Sequence, residues 1–232
     1  MTVKPSIVLV HGFWGGAAHW AKVIVQLSQM GYGDIHAVEN PLTSLAGDVA
    51  RTRQMVAQIK GPVLLVGHSY GGAVISGAGV ADNVAGLVYI AAFAPDEGEA
   101  LGAIGEAAPP PPGLGALVPD SDGYVWISPP KFGEAFCQDL PADEQLVMAV
   151  TQKAPLGAIF GEPAGPAAWK TKPAWCQVSA EDRMIHPQNE QRMAERMNAR
   201  KIITLDAGHA SLASKPAEVS ALIDEAATAL AG

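Results

Sequence analysis

The chain has 232 residues, of which 49% are apolar and only 16% charged, and its formal net charge at pH 7 is −8. This length is sufficient to bury a sizeable core, and the apolar content is too high for a disordered chain. The excess of acidic residues argues against nucleic acid as a partner, because phosphate groups are bound by basic surfaces.

Cysteine usage and the N-terminal sequence bear on where the protein works. Cys137 and Cys176 are the only cysteines, which is too few for a disulfide framework and favours a reducing compartment. The apolar run near the N-terminus is shorter than that of a signal peptide, and no run approaches the length that spans a membrane. We therefore expect a cytoplasmic protein that has no membrane partner.

Strand-like and helix-like segments alternate through the first 92 residues. Continuous apolar, β-branched runs predict buried strands, and apolar residues spaced three and four apart predict helices. The predicted strands are Ser6–Val10, Asp34–Val38, Val63–Val66 and Gly86–Ala92, and the predicted helices are residues 17–30, Gly47–Lys60 and Ala73–Ala81. Alternation of this kind favours a parallel sheet with helices on its faces.

The composition changes after residue 94. Thirteen of the 18 prolines lie between Pro95 and Pro173, and one strong helix pattern, Ala142–Lys153, occurs among them. A segment of this length is too long for an ordinary loop, and its aromatic residues argue against a disordered linker. We therefore expect residues 95–172 to form a cap that is inserted after strand 86–92, above the carboxyl ends of the strands.

The alternating pattern resumes after the cap. The predicted strands Ala174–Ser179 and Lys201–Leu205 are each followed by a predicted helix, Pro187–Asn198 and Pro216–Leu230. Together with the first half of the chain they predict one α/β core, built from residues 1–94 and 173–232. Its mostly parallel sheet should have about six strands and be flanked by helices.

The sequence Gly67-His68-Ser69-Tyr70-Gly71 lies between a predicted strand and a predicted helix. A G-x-S-x-G pattern in this context is typical of a nucleophile elbow, a sharp turn that exposes a serine hydroxyl. Side chains two residues before and after the serine would collide in such a turn, which explains both glycines. We interpret Ser69 as the nucleophile, against the alternative of a glycine-rich turn that only lets the helix pack closely.

A serine nucleophile needs a general base and an acid that orients the base. His209 is the candidate base, because it follows a strand end and a glycine late in the chain. Asp182, after the preceding strand, is the candidate acid. It gives the chain order Ser, Asp, His that is typical of enzymes with a nucleophile elbow. Glu181, Asp206 and Asp96 remain open as alternative acids.

Two backbone N–H groups are candidates for an oxyanion hole, those of Phe13 after the first strand and of Tyr70 after the serine. The sequence does not decide whether the side chains of Phe13, Trp14 and Tyr70 face the core or a substrate. For the lining of a substrate pocket we predict aromatic residues of the first loop and the cap: Trp14, Trp126, Phe132, Phe136 and Phe160.

The motifs VLVHGFWGG, VGHSYGG, SAEDRMIHP and AGHASL together resemble those of the small capped α/β-hydrolases. The resemblance is greatest to the branch that contains plant methylesterases, hydroxynitrile lyases and related bacterial esterases, and it covers the chain outside the cap. It implies an α/β-hydrolase fold and a triad of Ser69, His209 and Asp182. It also implies no metal, no organic cofactor, and a pocket between core and cap.

Two branches of that superfamily fit the sequence less well. The lyases are similar but carry a threonine after the histidine of the first loop and a lysine after the catalytic histidine, where this chain has Gly12 and Ala210. Without that lysine, no cation stabilises a departing cyanide. Dehalogenases and epoxide hydrolases use an aspartate nucleophile where this chain has Ser69, which favours an ester or acyl substrate here.

The leading hypothesis is a carboxylic-ester hydrolase that acts through an acyl-enzyme on a small to medium, largely apolar ester. A second hypothesis keeps the triad but changes the bond or the acceptor, as in amidases, lactonases, C–C hydrolases or peracid-forming enzymes of the haloperoxidase type. A third is a non-catalytic ligand-binding protein, which the intact serine, aspartate and histidine disfavour. A homodimer is compatible with the sequence, although nothing in the sequence indicates one.

Overall fold

A computed structural model of the chain describes residues 4–231. The strands are β1 (Ser6–Val10), β2 (Ile35–Val38), β3 (Val63–His68), β4 (Val84–Ile90), β5 (Leu117–Pro119), β6 (Val125–Ile127), β7 (Ala174–Ser179) and β8 (Lys201–Leu205). The helices are α1 (Ala21–Gln29), α2 (Leu45–Gln58), α3 (Tyr70–Ala78), α4 (Leu101–Gly105), α5 (Phe132–Phe136), α6 (Ala142–Thr151), α7 (Pro187–Arg196), α8 (Ser211–Ser214) and α9 (Pro216–Leu230). Within residues 4–231, none of the helices combines the length and the apolar composition needed to cross a bilayer.

Six strands form one sheet in the order β2-β1-β3-β4-β7-β8, and each neighbouring pair is parallel. This confirms the predicted parallel α/β sheet of about six strands. The chain runs from β1 outwards to β2 and then returns past β1 to β3. The resulting switch point lies between the carboxyl ends of β1 and β3, where open α/β sheets bind their ligands.

Helices cover both faces of the sheet. On one face α1, α8 and α9 pack through a buried cluster that includes Leu27 and Ile223. On the other face α2, α3 and α7 pack through a second cluster that includes Val74 and Met193. Full burial of such a side chain contributes about 1.5–3 kcal/mol to the free energy of folding. The loops at the carboxyl ends of the strands therefore extend from a well-packed core.

Two helices begin earlier than the sequence predicts. α3 begins at Tyr70, three residues early, because the helix follows Ser69 directly. α2 begins at Leu45, two residues early, because the Ser44 hydroxyl oxygen accepts the N–H of Gly47 at 3.0 Å and caps the helix. In both cases a local cap or turn sets the first residue, and apolar spacing alone does not reveal it.

The residues between β4 and β7 contain α4, α5, α6 and the antiparallel hairpin β5–β6. Only α6 is predicted from the sequence, because helices of five residues and strands of three show too little periodicity. Backbone hydrogen bonds attach this region to the loops of the sheet. The Trp14 N–H donates to the Lys153 carbonyl at 3.0 Å, and the Leu156 N–H donates to the Leu42 carbonyl at 2.9 Å.

Candidate active site

Ser69 lies at the end of β3, in a sharp turn into α3. Its backbone has φ 55° and ψ −126°, a positive-φ conformation that costs a non-glycine residue about 1–3 kcal/mol. A Cβ on Gly67 would lie 2.5 Å from the Gly71 carbonyl oxygen, and a Cβ on Gly71 would lie 2.3 Å from the Val10 carbonyl oxygen. The structure therefore accepts only glycine at both positions. The contact at Gly67 is the collision within the turn that the sequence predicts, whereas the contact at Gly71 is with the neighbouring strand β1.

The loops after β7 and β8 bring Asp182 and His209 together. The imidazole Nδ1–H donates a hydrogen bond of 2.6 Å to Asp182 Oδ2, and both side chains are fully buried. The other carboxylate oxygen, Oδ1, accepts the N–H groups of Met184 at 2.7 Å and of Ile185 at 2.8 Å. These bonds orient the carboxylate and favour the tautomer of His209 that carries a proton on Nδ1.

None of the three alternative acids bonds to the His209 side chain in the part of the chain that the structure describes. Glu181 and Asp206 are exposed, and Asp96 forms an ion pair with Lys170.

The second imidazole nitrogen of His209, Nε2, is buried and has no hydrogen-bond partner among residues 4–231. Ser69 Oγ therefore makes no hydrogen bond to it in this structure. The two loops are nevertheless neighbours, because His68, which precedes the serine, donates its Nε2–H to the His209 carbonyl oxygen at 2.8 Å. Burial lowers the pKa of His68 well below its usual value, so this side chain is neutral. Contacts between a serine and its base are often looser before substrate binds.

A buried carboxyl group that the sequence analysis missed lies beside Asp182. Glu190 on α7 is 3% exposed, and its Oε2 accepts the Ser179 N–H at 3.0 Å. Burial first, and then the charge of Asp182, raise the pKa of Glu190 well above its usual value. Glu190 therefore favours its protonated form, whose O–H can donate to Asp182. In the sequence it is one of several acidic residues on a polar helix, and no pattern singles it out.

Phe13 and Tyr70 lie side by side at the switch point of the sheet. Their rings stack with centroids 4.0 Å apart and planes at 15°. Tyr70 faces the core, where its hydroxyl donates to Asp48 Oδ2 at 2.7 Å, whereas Phe13 lines a cavity that also contains Ser69. Among the hydrogen bonds of residues 4–231, none uses the backbone N–H of either aromatic residue. Both N–H groups can therefore donate to an anionic oxygen.

The cavity that Ser69 lines has a volume of about 530 Å³. Its walls are mostly aliphatic: Leu101, Leu114, Leu117, Val125, Met184 and Ile185. Asn189 is a buried polar side chain in this wall, and its Oδ1 has no hydrogen-bond partner within the described residues. Glu106 and His186 are the titratable side chains of the lining, and no lysine or arginine of residues 4–231 lines the cavity. Such a lining suits an uncharged, largely apolar ligand.

Of the five aromatic residues predicted for a pocket, Trp14 and Phe160 line this cavity and the other three do not. Trp126 is 40% exposed, and its indole N–H donates to a surface aspartate at 2.8 Å. Phe132 and Phe136 are fully buried in the core. These three rings do not line this cavity, and composition does not distinguish an aromatic ring that faces a cavity from one that packs against protein.

The sheet order and the position of Ser69 in a strained turn after β3 are those of the α/β-hydrolase fold. The sequence pattern of the alpha/beta hydrolase family matches residues 7–222. The chain belongs to this family.

Three known proteins illustrate the similarity. The Carbendazim hydrolyzing esterase of Nocardioides sp. (strain SG-4G) is 34% identical over 121 residues, which span 46% of this chain and 49% of that protein, or about half of each. The structure of a pyrethroid hydrolase from Sphingobium faniae JZ-2 matches 97% of this chain and 98% of its own, with a TM-score of 0.80 and 22% identity. The structure of the methylesterase MES16 from Arabidopsis matches 97% of this chain and 99% of its own, with a TM-score of 0.74 and 19% identity. The two structural matches show a shared fold.

Proposed function

We propose that the protein is a serine hydrolase that cleaves a small to medium, largely apolar carboxylic ester through an acyl-enzyme. The observation that carries this proposal is the buried His209–Asp182 pair beside the strained turn that holds Ser69. The imidazole Nε2 has no hydrogen-bond partner within the described residues, so it can accept a proton. The relatives include proteins named as an esterase, a methylesterase and a pyrethroid hydrolase, and these names support ester chemistry.

In the proposed first half-reaction, Ser69 is the nucleophile and His209 the general base. Nε2 accepts the hydroxyl proton as Oγ attacks the acyl carbon, and Asp182 stabilises the imidazolium through its 2.6 Å bond to Nδ1. The acyl oxygen becomes negative in the tetrahedral intermediate. The N–H groups of Phe13 and Tyr70 donate to that oxygen, and removal of one such donor typically costs about 2.7–4 kcal/mol.

Collapse of the intermediate breaks the bond to the alcohol, which takes the proton from His209 Nε2 and leaves. Water then attacks the acyl group on Ser69, and His209 accepts the proton of that water. A second tetrahedral intermediate releases the carboxylic acid and returns the proton to Ser69 Oγ. One imidazole thus moves every proton in the cycle.

We also propose that residues 95–172 are a cap on a core formed by residues 1–94 and 173–232. The support is the composition of the cavity wall, which combines Trp14 and Ser69 of the core with Leu101 and Phe160 of the cap region. A substrate would reach the serine between the two parts. The aliphatic walls and the volume of about 530 Å³ favour an uncharged ester of small to medium size.

The residues next to the proposed machinery argue against a lyase activity. The residue after His209 is the buried Ala210, which has no charge to stabilise an anionic leaving group. At position 12, a Cβ in place of the glycine hydrogen would lie 2.6 Å from Ser69 Cβ. A threonine there would displace the serine in this chain.

The proposal is tested by hydrolysis of p-nitrophenyl acetate, butyrate and octanoate with the wild type and the Ser69→Ala variant. We expect turnover by the wild type and its loss in the variant, because the variant lacks the hydroxyl that forms the acyl-enzyme. A β-diketone, an amide and a lactone in the same panel distinguish an esterase from other triad-dependent hydrolases. Equal turnover by both proteins would contradict the proposal.

A further inference from the structure

A short cap segment, residues 136–139, contacts both loops that carry the proposed acid and base. The Asp139 carboxylate accepts the Gly208 N–H at 2.9 Å, and Gln138 Nε2–H donates to the Glu181 carbonyl at 2.8 Å. Gly208 and Glu181 are the residues that immediately precede His209 and Asp182. We call residues 136–139 the cap clasp.

The third contact of the cap clasp is with the imidazole itself. The Phe136 ring meets the His209 ring edge-on, with centroids 5.0 Å apart and planes at 76°. Phe136 is fully buried, so this contact limits the space in which the imidazole can rotate. The loop that carries Gly208 and His209 packs tightly against the cap clasp, because a Cβ on Gly208 would lie 2.6 Å from Gln138 Oε1.

We propose that Gln138 and Asp139 are positioning residues, which hold the Asp182 and His209 loops in the register that proton transfer needs. This inference rests on the proposed function. One clasp hydrogen bond fixes the loop of the acid, the other fixes the loop of the base, and the Phe136 ring packs on the base itself. Proton transfer is sensitive to such positioning, since a displacement of about 1 Å can lower a rate about 100-fold. The cap would therefore complete the catalytic geometry in addition to covering the substrate.

Variants of the two clasp residues test the proposal. We expect Gln138→Leu and Asp139→Ala each to lower kcat about 10-fold, because each removes one hydrogen bond, and the double variant to lower it about 100-fold. KM should stay within about twofold of the wild type, since neither side chain lines the cavity. Asp139→Asn should recover most of the activity, because its amide oxygen still accepts the Gly208 N–H. Asp143→Ala, an exposed aspartate on the cap helix α6, is the matched control and should retain wild-type kcat.

A double variant with kcat within about twofold of the wild type, and Ser69→Ala inactive in the same assay, would overturn the clasp alone. If Ser69→Ala is fully active, the proposed function fails instead. The clasp is then decided by the low-field proton NMR signal of His209 Nδ1–H, which Asp182→Asn assigns. That signal should be sharp in the wild type and in Asp139→Asn and broadened in the double variant. A sharp signal in the double variant would refute the positioning role.

Discussion

Replacing Glu190 by glutamine should remove a pH-dependent loss of stability. Burial beside Asp182 raises the pKa of the Glu190 carboxyl well above its usual value of 4.5. As the pH rises above the usual carboxyl pKa, the unfolded chain releases the Glu190 proton, whereas the folded protein keeps it. The free energy of unfolding therefore falls. The slope is about 1.4 kcal/mol for each pH unit over which Glu190 keeps its proton. The Glu190→Gln variant has no such proton and should lack this slope.

The Glu190→Leu variant separates the hydrogen bond from the titration. It leaves the Ser179 N–H, which Glu190 accepts at 3.0 Å, buried and unpaired, at a cost of about 1–3 kcal/mol at every pH. The glutamine variant keeps an acceptor for this N–H and also an N–H donor that can reach Asp182. Urea unfolding between about pH 5 and 8 measures all three proteins. A difference between glutamine variant and wild type that stays constant over this range would refute the reasoning.

Three further predictions concern the proposed chemistry, the cavity and acid stability. Asp182→Asn should lower kcat about 10⁴-fold, because the amide favours the wrong tautomer of His209; steady-state hydrolysis of the best p-nitrophenyl ester measures this. Phe160→Ala should raise the ratio of octanoate to butyrate kcat/KM by enlarging the cavity, whereas the exposed Trp126→Ala should not change it. Burial lowers the pKa of His19 from 6.5 to about 4, so the folded protein keeps this side chain neutral. As the pH falls from 6.5 to about 4, the free energy of unfolding should therefore decrease by up to about 3 kcal/mol, and by less in His19→Asn.

Each of these predictions has an outcome that contradicts it. An Asp182→Asn variant with more than about a tenth of wild-type kcat would mean that the carboxylate does not orient the base. An unchanged chain-length ratio in Phe160→Ala would mean that the acyl chain lies outside the cavity. An acid dependence that is the same in His19→Asn and the wild type would assign the loss of stability to other groups.

The features that the sequence predicts well are those that depend on local chemistry. The predicted bounds of Ser6–Val10, Ala174–Ser179 and Lys201–Leu205 are the observed ones. For Ser6–Val10 the signal is a continuous apolar run, which identifies a strand buried on both faces. The steric need for Gly67 also follows from five adjacent residues. The 2.5 Å approach at Gly67 is to the Gly71 carbonyl oxygen, within the turn, and corresponds to that local argument. The 2.3 Å approach at Gly71 is to the Val10 carbonyl oxygen of β1, a contact between distant parts of the chain.

The features that the sequence did not reveal depend on contacts between distant parts of the chain. The hydrogen bond from Gln138 joins residues 43 positions apart, and the one to Asp139 joins residues 69 positions apart. No periodicity or motif records such pairs. Phe136 shows the same limit, because its aromatic side chain suggested a pocket wall, whereas the fold packs it against a histidine. Glu190 was missed because its burial depends on how α7 packs against β7.

The acyl-enzyme is the central claim, and mass spectrometry after incubation with a fluorophosphonate tests it most directly. We predict one adduct per chain, located on Ser69 by peptide mapping and absent from Ser69→Ala. The adduct should form much more slowly in His209→Ala, because the hydroxyl then lacks its base. An adduct of equal stoichiometry in Ser69→Ala, or one that maps to another residue, would contradict the account.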